Sequence, residues 1–220
     1  MGYERETLEL LTNTIKTQFD TLSNISMLEF GNQEVYDNYH KVLEFYKENN
    51  YQHRIQRNIV KPFFEHLGIQ VVQIDYNGKD GAHALDVRND IRDTITQKFD
   101  IITNIGFTEH VGEGDHEYKL ISNQYSIFKN MHDLGKIGCL YFHIVPLTGF
   151  WYKHGVCDYS LDFFKKLCEF NKYSILKGPY IETYHPEKQA GILYRKTTDE
   201  QFMSLENFKL LPGLRSTASD

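Results

Sequence analysis

Apolar and polar positions along the chain follow a pattern that predicts strands and amphipathic helices in turn. Short runs rich in Val, Ile and Phe predict strands over residues 25–30, 69–75, 84–87, 99–104, 137–145, 173–176 and 191–194. Apolar positions three and four residues apart predict helices over residues 7–22, 35–46, 55–67, 91–97, 121–135 and 161–168. This order predicts an α/β fold, a doubly wound and mostly parallel sheet of about seven strands with helices on both faces. The last two strands are joined without a helix, so we expect them to form an antiparallel edge.

The length of 220 residues suits one sizeable core, so a single domain over residues 1–220 is predicted. Its N-terminal helix falls within residues 1–24. A helical insertion over about residues 34–67 separates the first two strands. The tail from residue 215 to 220 is expected to be disordered.

The stretch from Phe99 to Val111 has the features of a central strand that leads into a site. Its apolar run suits a parallel strand that is covered on both faces. It ends in small and polar residues, and ligands of open α/β sheets bind beyond the carboxyl ends of such strands. The tip Gly106-Phe-Thr-Glu-His110 is therefore predicted to form part of an active site.

Composition narrows the possible partners and the compartment. The net charge is −6 and the basic residues are scattered, so no nucleic-acid partner is expected. No apolar run approaches the roughly 18 residues of a membrane helix, and the polar N-terminal segment does not resemble a signal peptide. Three cysteines without a C-x-x-C pair indicate thiols of a reducing compartment, so a cytoplasmic location is expected.

Several short motifs lie at the predicted strand ends and turns. They are Met27-Leu-Glu-Phe-Gly-Asn-Gln33, Gln73-Ile-Asp75, Ala84-Leu-Asp-Val87, Phe99-Asp-Ile-Ile-Thr-Asn104 and Leu134-Gly-Lys-Ile-Gly138. In this order, the chain resembles a class I S-adenosylmethionine-dependent methyltransferase over about residues 25–196. Its glycine-rich motif is degenerate, because only Gly31 remains in the first turn.

The resemblance implies that S-adenosyl-L-methionine is the cofactor. It implies that Asp75 holds the ribose hydroxyls and that Asp86 lies near the adenine amino group. The full set of implied cofactor-binding residues is Glu29, Gly31, Gln33, Asp75, Asp86, Val87, Asn104 and Gly106. Other readings stay open: Asp75 could cap a turn with Asn77, and Asp86 could pair with Arg88 or Arg92.

The candidate catalytic residues are Glu109, His110 and His143. His110 is the first choice for a general base, because the unperturbed histidine pKa of about 6.5 lets it take a proton at neutral pH. His143 lies inside a predicted strand, where a core histidine is favoured over a functional one. The loop residues Trp151, Tyr152 and His154 form a candidate substrate wall, or they simply cover the sheet.

No bound metal is expected, because no two histidines have the spacing of a helical ligand pair. The one plausible metal site combines His110, Asp115 and His116, with His143 or His154 as a further ligand.

The sequence favours a methyltransferase that acts on an oxygen or nitrogen of a small-molecule acceptor, with a sugar-like compound as one candidate. The alternative is an inactive methyltransferase-fold protein that serves as a binding or partner subunit. A dinucleotide oxidoreductase is disfavoured because the chain has no G-x-G-x-x-G motif. A metal-assisted hydrolase rests only on the ten histidines. The acceptor and the oligomeric state stay open.

Overall fold

The computed structural model describes residues 2–35, 39–52, 59–112, 119–183 and 187–217. The strands in these ranges are β1 (Ser26–Phe30), β2 (Gln70–Ile74), β3 (Phe99–Ile105), β4 (Gly135–Pro146), β5 (Cys157–Tyr159), β6 (Ser174–Thr183), β7 (Lys188–Arg195) and β8 (Leu214–Ser216). Six of them form one sheet in the order β2-β1-β3-β4-β7-β6, and β5 pairs with β8 in a separate small sheet.

The four strands β1 to β4 run parallel, whereas β7 is antiparallel to β4 and β6 is antiparallel to β7. The predicted doubly wound sheet with an antiparallel edge is therefore confirmed. The predicted count of about seven strands is wrong, because the main sheet of the described residues has six.

The missing strand is the one predicted over residues 84–87, which make no strand pairing; a single parallel bridge joins Ile74 to His83, just before this stretch. The helix predicted over residues 91–97 is also absent. Aspartates shape this region, because the backbone N–H of Arg88 donates to Asp86 and that of Arg92 to Asp90, at 3.0 Å each. Such local side-chain bonds favour turns over a strand or helix.

The helices are α1 (Arg5–Gln18), α2 (Tyr39–Glu48), α3 (Lys61–His66), α4 (Leu120–Leu134), α5 (Leu161–Phe170) and α6 (Leu205–Phe208). Residues of α1, α2 and α3 pack in one hydrophobic cluster, and residues of α4, α5 and α6 pack in another. Side chains of the central strands alternate between these two clusters: Met27 of β1 joins the first, whereas Leu28 and Phe30 join the second. The prediction of helices on both faces is therefore confirmed.

The C-terminal tail is partly ordered, contrary to the expectation of disorder from residue 215. Arg215 pairs with Asp158, and Ser216 pairs with Cys157, in the small β5–β8 sheet. The Thr217 N–H donates to the carbonyl of Val156 at 3.1 Å. The tail thus closes against the loop that precedes β5.

In the described residues, no helix is long and apolar enough to cross a membrane.

Candidate active site

A cavity of about 540 Å³ opens at the carboxyl ends of β1, β2 and β3. Strand β1 lies between β2 and β3, so the chain leaves β1 towards one side of the sheet and returns on the other. Ligands of open α/β sheets bind at such a switch point, and the volume lies in the usual ligand-pocket range of roughly 300–1,000 Å³. The lining residues are Asn32, Gln33, Asp75, Tyr76, Leu85, Asp86, Val87, Arg88, Gly106, Phe107, His110, Val111 and Gly112.

Gly31 forms the turn that follows β1, with a φ of +95° that side chains rarely adopt. Its N–H donates to the carbonyl of Ile74 at 2.7 Å. A Cβ atom here would overlap the Gln33 amide and lie 3.0 Å from the Phe107 ring, and both of these side chains line the cavity. The absence of a side chain at Gly31 therefore lets the turn pack closely against Gln33 and Phe107.

Asp75 lies directly after β2 and faces the cavity. One carboxylate oxygen accepts the Asn32 N–H and the other accepts the Asn77 N–H, each at 3.1 Å. The sequence left open that Asp75 caps a turn with Asn77, and this contact is present. A carboxylate has about four lone-pair sites, so both oxygens can still accept ligand hydroxyls.

Asp86 lines the cavity. It forms an ion pair with Arg88, which is one of the alternatives that the sequence left open. The Arg88 guanidinium donates to both carboxylate oxygens, at 2.7 and 2.8 Å. These hydrogen bonds lower the pKa of Asp86. Val87, next in the chain, contributes a buried apolar wall.

Glu29 does not reach the cavity, contrary to its predicted cofactor role. It has the opposite orientation to Leu28 and Phe30 in β1 and is fully buried, where it accepts a hydrogen bond of 2.5 Å from Gln73. Burial raises its pKa to about 7, although hydrogen bonds from Gln73 and the Gln33 backbone oppose this rise.

Asn104 and His143 are also core residues rather than wall residues, which corrects two further predictions. The Asn104 amide donates to the Thr108 hydroxyl and also contacts His143 Nδ1, at 3.1 Å each. His143 Nε2 lies 2.9 Å from the hydroxyl of Tyr194. Burial lowers the pKa of His143 to about 3, so it is neutral and unable to meet a substrate.

Gly106 and His110, by contrast, lie where the sequence predicts. The Gly106 N–H donates to Ile144 at 2.8 Å, which ties the end of β3 to β4. A 3-10 turn over Thr108–His110 follows; it buries Glu109 and leaves His110 at the cavity wall. His154 from the loop before β5 contacts His110, with ring centroids 4.8 Å apart.

Trp151 and Tyr152 do not line the main cavity. They lie on a separate, small cavity of about 90 Å³ together with Asp158 and Arg215. The Trp151 ring packs on His154 at 4.8 Å and its N–H donates to the carbonyl of Lys188. Tyr152 is 68% exposed. Within this predicted substrate wall, His154 contacts His110, a residue that lines the main cavity.

Seven residues that line the cavity were not predicted from the sequence as site residues: Asn32, Tyr76, Leu85, Arg88, Phe107, Val111 and Gly112. All lie within three residues of a predicted site residue, so the ends of the predicted strands already marked their neighbourhood. Asp115 and His116 of the proposed metal loop lie outside the described residues.

No protein-family model matches the chain, and no curated protein matches it. Among solved structures it is similar to TehB from Haemophilus influenzae, at 12% identity and a TM-score of 0.45, over 85% of this chain and 61% of that one. It is also similar to a Burkholderia thailandensis 1,6-didemethyltoxoflavin-N1-methyltransferase with bound S-adenosylhomocysteine. The identity is 11% and the TM-score is 0.43, over 86% of this chain and 76% of that one. A third similar structure is an S-adenosylmethionine-dependent methyltransferase from Clostridium acetobutylicum, at 9% identity and a TM-score of 0.42, over 86% of this chain and 89% of that one.

The chain thus spans less than two thirds of the length of TehB. At these identities and TM-scores, the likeness assigns no activity to it. The sheet itself, with the order β2-β1-β3-β4-β7-β6 and an antiparallel edge, is the mostly parallel α/β sheet that the sequence predicts.

Proposed function

We propose that this protein is an S-adenosyl-L-methionine-dependent methyltransferase that acts on an oxygen or nitrogen of a small-molecule acceptor. The observation that carries the proposal is the cavity at the β1–β3 switch point, with Asp75 at the end of β2 and the Gly31 turn at the end of β1. When bound, the cofactor supplies an activated methyl group, which moves in line to a positioned nucleophile.

The cofactor side of the cavity carries groups that suit the three parts of the ligand. We assign the Asp75 carboxylate to the ribose hydroxyls and the apolar side chains of Leu85 and Val87 to the adenine ring. Asn32 Oδ1 is buried and has no hydrogen-bond partner among the described residues, so we assign it to the ammonium group of the methionine part. Asp86 receives no such role, because Arg88 already occupies its carboxylate.

The acceptor side is proposed for the cluster of Glu109, His110 and His154. His110 is the one member that lines the main cavity, and His154 packs against its ring. We propose that this cluster orients the acceptor and promotes loss of the proton from its nucleophilic atom.

We also propose a cytoplasmic location. Cys139, Cys157 and Cys168 are buried free thiols, the state that a reducing compartment maintains.

A methyl-transfer assay tests the proposal. Purified protein is incubated with methyl-labelled cofactor and a panel of hydroxylated and aminated small molecules, and formation of S-adenosylhomocysteine is measured. Transfer is expected in the wild type, with a turnover loss of about 100-fold in His110→Asn, in line with the 10²–10⁴-fold that proton transfer contributes. The exposed His83 provides the matched control, and His83→Asn should keep full activity.

Cofactor binding without transfer to any acceptor would instead favour the alternative of an inactive binding subunit. Transfer confined to an RNA added as one arm of the panel would overturn the small-molecule acceptor.

A further inference from the structure

Three side chains with metal-ligand chemistry converge beside the main cavity. Glu109, His110 and His154 each offer one ligand atom, and these atoms lie within 4.8 Å of one another. Glu109 Oε1 is 3.9 Å from His110 Nε2, which is too long for a hydrogen bond. Glu109 is fully buried, whereas the His110 side chain is 37% exposed.

Backbone contacts hold the three residues together, although His154 is more than forty residues away along the chain. The Val156 N–H donates to the Glu109 carbonyl at 2.7 Å, which fixes the His154 loop against the Thr108–His110 turn. Gly155 makes this approach possible: its φ is +71°, and a Cβ there would overlap the same carbonyl oxygen. The cluster is therefore built by the fold and does not depend on long flexible side chains.

Two imidazoles and a carboxylate are a donor set of catalytic zinc sites, which keep a fourth position open. Zinc ligands at roughly 2.0–2.2 Å from the ion are about 3.4 Å apart in a tetrahedral site. Ligand atoms that lie up to 4.8 Å apart would need to draw together by up to about 1.4 Å to reach this separation. A bound cation would also stabilise the charge of the fully buried Glu109 carboxylate.

We propose that Glu109, His110 and His154 bind a divalent transition-metal ion of the Zn²⁺ type, with its open position towards the cavity that His110 lines. The ion would bind an oxygen of the acceptor and lower the pKa of a hydroxyl there. His110 then acts as a ligand rather than as a general base, which departs from the metal-free expectation from the sequence. The role in acceptor binding rests on the proposed function, whereas the metal site itself does not.

The test uses untagged, chelator-treated full-length protein. Zn²⁺ affinity is measured by competition with a chromophoric chelator, and Co²⁺ substitution is followed by its visible absorption. The wild type should bind a single ion per chain and give the intense Co²⁺ bands of a tetrahedral site. Glu109→Gln and His154→Ala should each weaken binding by at least about 100-fold, because each changes a direct ligand and loss of an outer-shell partner alone costs roughly 10–100-fold. His83→Ala, at an exposed histidine outside the cluster, is the matched control and should leave affinity unchanged.

Wild-type affinity no tighter than that of the two cluster variants would overturn the metal site. Circular dichroism of each variant shows whether the fold is kept, and His154→Ala, on a surface loop, tests the site without changing the buried carboxylate. Titration of S-adenosyl-L-methionine into the same metal-free samples separates the two proposals. Cofactor binding without metal binding overturns only the metal site, and metal binding without cofactor binding overturns only the proposed function.

Discussion

Replacing Glu29 with glutamine is predicted to remove a pH-dependent loss of stability that the wild-type chain undergoes. Glu29 is fully buried in β1 and its pKa is raised to about 7 by that burial. In the unfolded chain its pKa returns to the usual 4.5. The folded state therefore holds a proton, between these two pH values, that the unfolded state releases.

This difference fixes the sign and the size of the effect. A group whose pKa is raised by folding contributes stability that is fully present below its unfolded pKa and is lost as pH rises through its folded pKa. For Glu29, the window runs from pH 4.5 to about 7. At roughly 1.4 kcal/mol per pH unit, the total loss is about 3 kcal/mol.

Urea unfolding of the wild type and of Glu29→Gln across this range measures the effect. Because other groups titrate in both proteins, the informative quantity is the difference in free energy of unfolding between variant and wild type. That difference should move in favour of the variant by about 3 kcal/mol between about pH 4.5 and pH 8. Glu206→Gln, at a side chain that is 79% exposed, is the control and should show no such trend.

A difference that stays flat across the range would refute the reasoning. It would mean that Glu29 is ionised in the folded protein and meets a cation or water. The assignment of Glu29 to the core, rather than to the cofactor site, would then need to be withdrawn.

Three further predictions concern the cavity and its surroundings. Asp75→Asn should weaken S-adenosyl-L-methionine binding at least tenfold, about 1.4 kcal/mol, by calorimetry, because it removes a charged acceptor, whereas the exposed Asp93→Asn should not. His143→Phe should lower the free energy of unfolding by about 1–3 kcal/mol in urea and leave cofactor affinity unchanged, since its two hydrogen bonds lie in the core. Gly155→Ala should weaken Zn²⁺ binding by roughly 10-fold in chelator competition, because its Cβ pushes the His154 loop from the Glu109 turn. Gly149→Ala has the same kind of positive φ and open space around it, so it controls for backbone strain.

Each of these has a clear contrary result. Equal cofactor affinity in Asp75→Asn and Asp93→Asn would remove the ribose assignment. Loss of cofactor binding in a folded His143→Phe variant would show that His143 contributes to the cofactor site. Equal Zn²⁺ affinity in the two glycine variants would show that the loop contact does not position the metal ligands.

The sequence predicted the central strands well, because each is a short apolar run with both faces covered. It failed over residues 84–97, where Asp86 and Asp90 bond to backbone N–H groups two residues ahead. Those local bonds compete with a strand and a helix, and hydrophobic spacing does not report them. The β5–β8 pair was also missed, since three-residue strands that pair across more than fifty residues leave no periodic signal.

The same contrast applies to the site. The positions of Asp75, Gly106 and His110 at the cavity could be predicted because they follow strands, and the end of a parallel strand marks the ligand edge of the sheet. Glu29 and His143 lie inside strands, where alternation separates the two faces but does not say what each face meets. Which interior polar residue faces the ligand therefore depends on tertiary packing.

The most direct test of the central claim is a calorimetric titration of the folded wild-type protein with S-adenosyl-L-methionine and, separately, with S-adenosylhomocysteine. We expect micromolar binding of at least one of them, with at least tenfold weaker binding in the Asp75→Asn variant. Absence of binding of either compound to the folded wild type at millimolar concentration would contradict it. The cavity at the β1–β3 switch point would then serve a different ligand.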